Sequence, residues 1–158
     1  MHYPIAQETD ASNVDRWTWK LRSLLLPLFI VLTGCNSLIA PYNETAYQNA
    51  TSVKAQAMLL ITKATEPYAD HEAEVDELML KVEQAYEYAK GIPNNENSTN
   101  QWELLKAPDG NLLGGFMNRW KNDGSLGRAF VDNARDDLVG PALDEIIRLE
   151  SEKIRTRR

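Results

Sequence analysis

The sequence predicts an all-α protein, a small helical bundle of about four main helices. Three observations carry this. Apolar residues recur at three- and four-residue steps through most of the chain after residue 43. No stretch alternates apolar and polar residues as a half-buried strand does. Breaks rich in Pro, Gly and Asn cut the chain into helix-length pieces.

Asn43 is placed to cap a first helix, whose stripe is Tyr47, Ala50, Val53, Ala57, Leu60, Ile61 and Ala64. Three of those seven residues are alanine, so a neighbouring helix can approach closely. Pro67 stops the element because it has no N–H to donate. Asp70 is expected to cap a second helix with the stripe Val75, Leu78, Met79, Val82, Ala85, Tyr86 and Ala89. Gly91 is expected to end it in the left-handed conformation, ahead of Pro93. Two such helices joined by a short turn read as an antiparallel hairpin.

"IPNNENSTN", residues 92–100, reads as a loop. Ser98 and Gln101 have capping-box spacing, so a short helix bearing Trp102 and Leu105 is expected to follow. "APDGN" is a turn, and "LLGGFMNRW" spaces Leu112 or Leu113, Phe116 and Trp120 helically despite two glycines. Ser125 is expected to cap the last element, with the stripe Leu126, Phe130, Ala134, Leu138, Ala142, Ile146 and Leu149. Gly140-Pro141 is expected to kink or split it, since Pro141 loses its bond to residue 137.

Ahead of the bundle the chain has a different character. Arg16, Lys20 and Arg22 precede an apolar run from Leu24 to Leu32, interrupted only by Pro27. A basic flank, an apolar core of about nine residues and a small-residue exit form a secretory signal, too short for a comfortable membrane span. The competing reading is a retained signal anchor. Extending the run through "NSLIA" to Ala40 reaches 17 residues, but Gly34, Asn36 and Ser37 make that span a poor one.

The exit reads Leu32-Thr33-Gly34-Cys35, and Cys35 is the only cysteine in the chain. This resembles the lipobox of bacterial lipoproteins. The resemblance implies recognition of Leu32, Thr33 and Gly34 by the processing machinery, removal of residues 1–34, and a diacylglyceryl thioether on Cys35 with an acylated amino terminus. Residues 35–42 would then be a lipidated tether and residues 43–158 the bundle domain. The membrane is the implied first partner, through the anchor. The residue after the cysteine influences sorting in Gram-negative lipoproteins. Asn36 is not the Asp that favours retention, so the periplasmic face of the outer membrane is expected in a Gram-negative host.

Residues 1–34 hold as many acids as bases, so residues 35–158 keep the chain's net charge of −6. So acidic a domain is not expected to bind nucleic acid. With one cysteine, no internal disulfide can form.

No catalytic constellation appears, and the chain is read as a non-enzyme. His71 is the only histidine after residue 34, which leaves no Cys/His pair or zinc cluster; no P-loop, Gly-x-Ser-x-Gly or dinucleotide motif occurs. His71 is read as a solvated first-turn residue in preference to a haem ligand opposite Met58. "DHEAEVDE" is read as acids complementing a helix N-terminus, not a metal site. Asp132, Asp136 and Asp137 are read with Arg128, Arg135, Asp144 and Arg148 as a salt-bridged solvent face. The tail residues Lys153, Arg155, Arg157 and Arg158 are read as a frayed basic end.

The most unusual segment is "PDGNLLGGFMNRW". Two glycines in a helical pattern cost about 2 kcal/mol against alanine, so something must offset them. Close packing is favoured, with the alanine-rich first stripe as the expected neighbour. The other reading is a candidate interaction surface formed by Gly114, Gly115, Phe116, Arg119 and Trp120. The function expected is an envelope-anchored accessory lipoprotein that docks a protein partner; the alternative is a bundle binding a small apolar ligand. No cofactor or metal is expected beyond the acyl groups on Cys35.

Overall fold

Apolar stripes and caps set the helices, as the spacing predicts, but several ends lie elsewhere. In the computed structural model, which describes residues 39–153, α1 (Glu44–Thr62) begins where Asn43 Oδ1 accepts a 3.1 Å hydrogen bond from Ala46 N–H. Ala46, Ala50, Val53, Ala57, Leu60 and Ile61 are its buried residues. Two 3₁₀ turns, Lys63–Thr65 and Tyr68–Asp70, flank Pro67 and lead into α2 (Glu72–Lys90). Asp70 therefore lies inside a turn and does not cap α2; His71 takes that position without a side-chain bond. Gly91 is right-handed (φ −74°), and the left-handed residue is Asn94 (φ 59°), one of the few types that tolerate it.

α3 (Glu96–Lys106) starts ahead of the expected capping box. Ser98 lies buried within it, and Asn95 turns inward to donate a 2.9 Å hydrogen bond to Ala89 C=O. After the turn at 107–111 comes α4 (Leu113–Asp123). The chain then runs through α5 (Arg128–Asn133), a π-helical segment (Ala134–Val139) and α6 (Gly140–Glu152) without a break; Gly127, not Ser125, precedes it.

α1 packs on α2 and α6, and α3 packs on the same two, so four helices close into a ring. At one end of the ring Ala40 N–H donates to Asn94 C=O (3.0 Å), and Tyr88 Oη donates to Asn43 Oδ1 (3.1 Å). At the other end Tyr68 N–H donates to Gly124 C=O and Leu126 N–H to Ala64 C=O, both 2.7 Å. α4 lies toward this second end, against α3 and the Tyr68–Asp70 turn. Among the described residues no strand occurs, and no helix is long and apolar enough to cross a membrane.

Pro141 does not interrupt the last helical run, which is continuous from Arg128 to Glu152. The chain instead widens ahead of it: Gly140 N–H donates to Arg135 C=O, five residues back. A Cβ on Gly140 would stand 2.5 Å from that carbonyl oxygen, so the wide turn requires glycine. The extra residue also shifts the helix's phase. Val131, Ala134, Val139, Leu143 and Ile146 are buried, whereas Phe130, Leu138, Ala142 and Leu149 of the expected stripe are only half-buried. Residues 1–34 with Leu32, Thr33 and Gly34, the acylation candidate Cys35, and Arg155, Arg157 and Arg158 lie outside the described residues. Ala40, assigned to the tether above, is 1% exposed and already part of the packed body.

Candidate functional site

The double glycine is where the chain folds back on itself. The 107–111 turn, closed by Gly110 N–H to Ala107 C=O at 3.1 Å, lays backbone directly against the start of α4. A Cβ on Gly114 would stand 2.2 Å from the Lys106 carbonyl oxygen, and one on Gly115 would stand 1.7 Å from that of Gly110. Neither position admits a side chain. The glycines therefore serve packing, but the neighbour is the turn before α4, not the alanine stripe of α1.

Gly115 is half-buried and borders a cleft of about 350 Å³. α4 contributes Gly115, Phe116 and Arg119; the turn contributes Gly110 and Asn111; the last helix contributes Phe130, Ala134 and Leu138. Phe116 and Phe130 stack, with centroids 5.9 Å apart and planes 4° from parallel. The Arg119 guanidinium lies 4.4 Å from the Phe130 centroid, a cation–π contact, while its Nε donates to Asp123 Oδ2 at 3.2 Å.

Of the five residues proposed from sequence as an interaction surface, Gly115, Phe116 and Arg119 line this cleft. Gly114 and Trp120 do not. Gly114 is buried under the turn, and Trp120 is fully buried one turn beyond Phe116, against the Tyr68–Asp70 turn. Its Nε1–H donates to Glu66 C=O at 3.0 Å, and its ring meets Tyr68 edge-on at 5.5 Å. Phe130 and Leu138 belong to the stripe that the sequence assigns to the core. The phase shift brings Leu138 to the cleft, and no periodicity count reveals such a shift.

His71 belongs to the Trp120 cluster and is not solvated. It is 9% exposed, 5.7 Å from the Trp120 ring, with Nε2 2.8 Å from Glu66 Oε2. Glu74 Oε1 stands 3.5 Å from Nδ1, too far for a good hydrogen bond. Lys63 bonds Glu74 at 2.7 Å and holds its carboxyl below the usual carboxylate range. Met58 lies instead near Gly140, so no haem-ligand pair is brought together.

The acids of "DHEAEVDE" disperse: Glu72 pairs with Lys121, Glu74 with Lys63 and Glu77 with Lys81. Among the described residues no group of three or more His, Cys, Asp or Glu side chains could hold a metal ion. The solvent face of the last helix is salt-bridged as expected, with some partners exchanged. Arg135 binds Asp136 at 2.8 Å, Arg148 binds Glu145 and Glu152 at 2.6 Å each, and Asp144 pairs with Lys54. Arg135 and Arg148 hold the Asp136 and Glu145 carboxyls below their ordinary values.

Lys153 is not part of a frayed end. It is 6% exposed and donates to Glu150 Oε2 (2.7 Å), Asn95 Oδ1 and Ser98 Oγ (3.3 Å). Glu150 is fully buried, and its Oε1 has no hydrogen-bond partner among the described residues. This network ties the end of α6 to the start of α3, next to the place where Ala40 meets Asn94. Reading the lysine by its position near the end of the chain hid the i,i+3 pair.

No protein-family model, curated protein or solved structure matches the chain.

Proposed function

We propose that the chain is an envelope-anchored lipoprotein whose helical bundle docks a protein partner through the cleft between α4 and the last helix. The observation that carries this is the Leu32-Thr33-Gly34-Cys35 lipobox behind a basic flank and an apolar run, so close to a folded body. Cys35 to Ala40 spans at most about 17 Å of extended chain, so an acylated Cys35 holds the bundle against the bilayer. Two or three buried acyl chains, each contributing about 0.8 kcal/mol per CH₂, make such an anchor effectively permanent.

The end of the ring that holds Ala40, Asn94 and Lys153 then faces the membrane. The cleft is displaced from it, since residues 138–152 alone rise about 21 Å along the helix. An anchored bundle would thus offer its cleft to proteins of the same compartment. A second reading, a small apolar ligand held in that cleft, draws on the stacked Phe116 and Phe130. Its volume lies near the floor of the range for small-molecule sites.

A photoreactive residue at position 138 in the full chain, expressed in a bacterial host, tests the proposal. The expected result is one discrete protein adduct that weakens when Cys35→Ser removes the anchor; with the photoreactive residue moved to exposed Asn111 on the same cleft, the adduct persists and vanishes when Leu138→Trp is added. Adducts equally strong from exposed Leu104 would contradict docking at the cleft.

A further inference from the structure

We infer, resting on the docking reading above, that the cleft takes a partner-protein segment carrying an aromatic or leucine side chain with an Asp or Glu carboxylate one or two residues away. The apolar half of this specificity comes from the half-buried Phe130 and Leu138, backed by Phe116 and Ala134, which are 3% and 2% exposed. About 350 Å³ suits one bulky side chain and its neighbours rather than a large ligand.

The acidic half comes from Arg119. Of the residues lining the cleft it is the one charged side chain. Its Nε is engaged with Asp123, and its plane rests on Phe130. Its two terminal nitrogens have no hydrogen-bond partner among the described residues. A guanidinium held against a ring points its remaining N–H groups outward along its edge, the geometry that grips a carboxylate with two parallel bonds. In a chain of net charge −6, overall complementarity would select a basic partner. The cleft asks for the opposite sign at one point, so its occupant is chosen by local geometry.

The glycines sharpen the site. With no Cβ on Gly115, the Gly110 carbonyl closes onto α4, and the floor between the turn and Phe116 is bare backbone. A segment lying across it meets peptide groups beside an aromatic wall, as a side chain seated next to its own backbone requires.

Panning a random 12-residue phage-displayed library on the immobilised full-length chain in detergent tests this. One charge-assisted carboxylate contact corresponds to about tenfold in affinity or more. Sequences with an aromatic or Leu within two positions of Asp or Glu should therefore be enriched about tenfold over other aromatic sequences. Arg119→Gln should keep the aromatic preference and lose the acid. Arg119→Glu should replace the acid with Lys or Arg, and Leu138→Trp should abolish the pattern while the thermal melt stays cooperative. An enriched pattern without acid that Leu138→Trp removes overturns the inference and leaves the docking reading standing. Enrichment indifferent to Leu138→Trp, or none at all, overturns both. A co-purifying small molecule seen by native mass spectrometry and lost in Leu138→Trp assigns the cleft to that ligand and overturns them too.

Discussion

The α1–α2 hairpin, whose helices contain neither glycine nor proline, and the glycine-rich stretch from 107 to 141 obey different rules. In the hairpin, every buried position falls on a 3.6-residue stripe, and the helices run uninterrupted for 19 residues each. Beyond its 124–127 turn, the 107–141 stretch departs from regular helix twice, at the turn folded onto Gly114-Gly115 and at the π turn before Pro141. Those two departures form opposite sides of one cleft. Regular helices meet ridge into groove and leave little space between them; a cleft opens here where the extra residue of the π turn moves Leu138 outward, and the Gly110 carbonyl, seated where a Gly115 side chain would be, lines it.

The comparison can be broken most sharply by deleting regular packing. Leu78→Ala in α2, at 2% exposure, should cost about 2–5 kcal/mol in denaturant unfolding, the ordinary penalty for a buried cavity. A smaller loss would mean that the hairpin is less tightly packed than its stripe implies. Overfilling the irregular region comes next. Gly115→Ala should destabilise by the ~1–3 kcal/mol typical of overpacking, or more, because the obstacle is backbone. Gly91→Ala, whose Cβ would meet nothing closer than 3.5 Å, should leave the melting temperature nearly unchanged. Equal effects from the two glycines would refute the fold-back.

The phase shift has its own signature. Val139→Ala should cost about 2 kcal/mol, and Leu138→Ala about 1 kcal/mol or less, although leucine is the larger side chain. A straight α-helix through residue 138 reverses that order.

The smallest effect is acid sensitivity. Glu74, Asp136 and Glu145 are held below their ordinary values by Lys63, Arg135 and Arg148. A depressed carboxyl contributes stability above its unfolded value and loses it as pH falls through the folded one. Melting temperature should therefore hold near neutrality and decline as pH drops below about 5. These side chains are largely exposed, so 1 M salt should reduce the decline.

The same contrast explains what could be read from the residues alone. The hairpin was legible because Val53, Ala57, Leu60, Val75, Leu78 and Val82 report a period directly. In the irregular stretch, the glycines announced close packing, yet their neighbour was a turn five residues away, and turn closure has no period to report. Pro141 announced a disturbed helix. Whether the helix breaks or widens depends on Ala134 and Val139 both reaching the core, which is a tertiary fact. Arg119 and Phe116 were found as part of an aromatic-basic cluster; Trp120 fitted the same pattern but points into the core because Glu66 offers its indole a carbonyl. The Glu150–Lys153 pair was missed because buried charges are rare enough to be read as exposed.

The central claim, that a lipid anchor holds this bundle at a membrane, turns on a single sulfur atom. Intact-mass spectrometry of the protein recovered from envelopes of a lipoprotein-processing host reads it directly. The account predicts a chain beginning at Cys35, heavier than its peptide mass by a diacylglyceryl group, with or without one further acyl chain, and a Cys35→Ser variant that keeps residues 1–34. A mature wild-type chain of bare peptide mass, or a serine variant processed at the same bond, would contradict it.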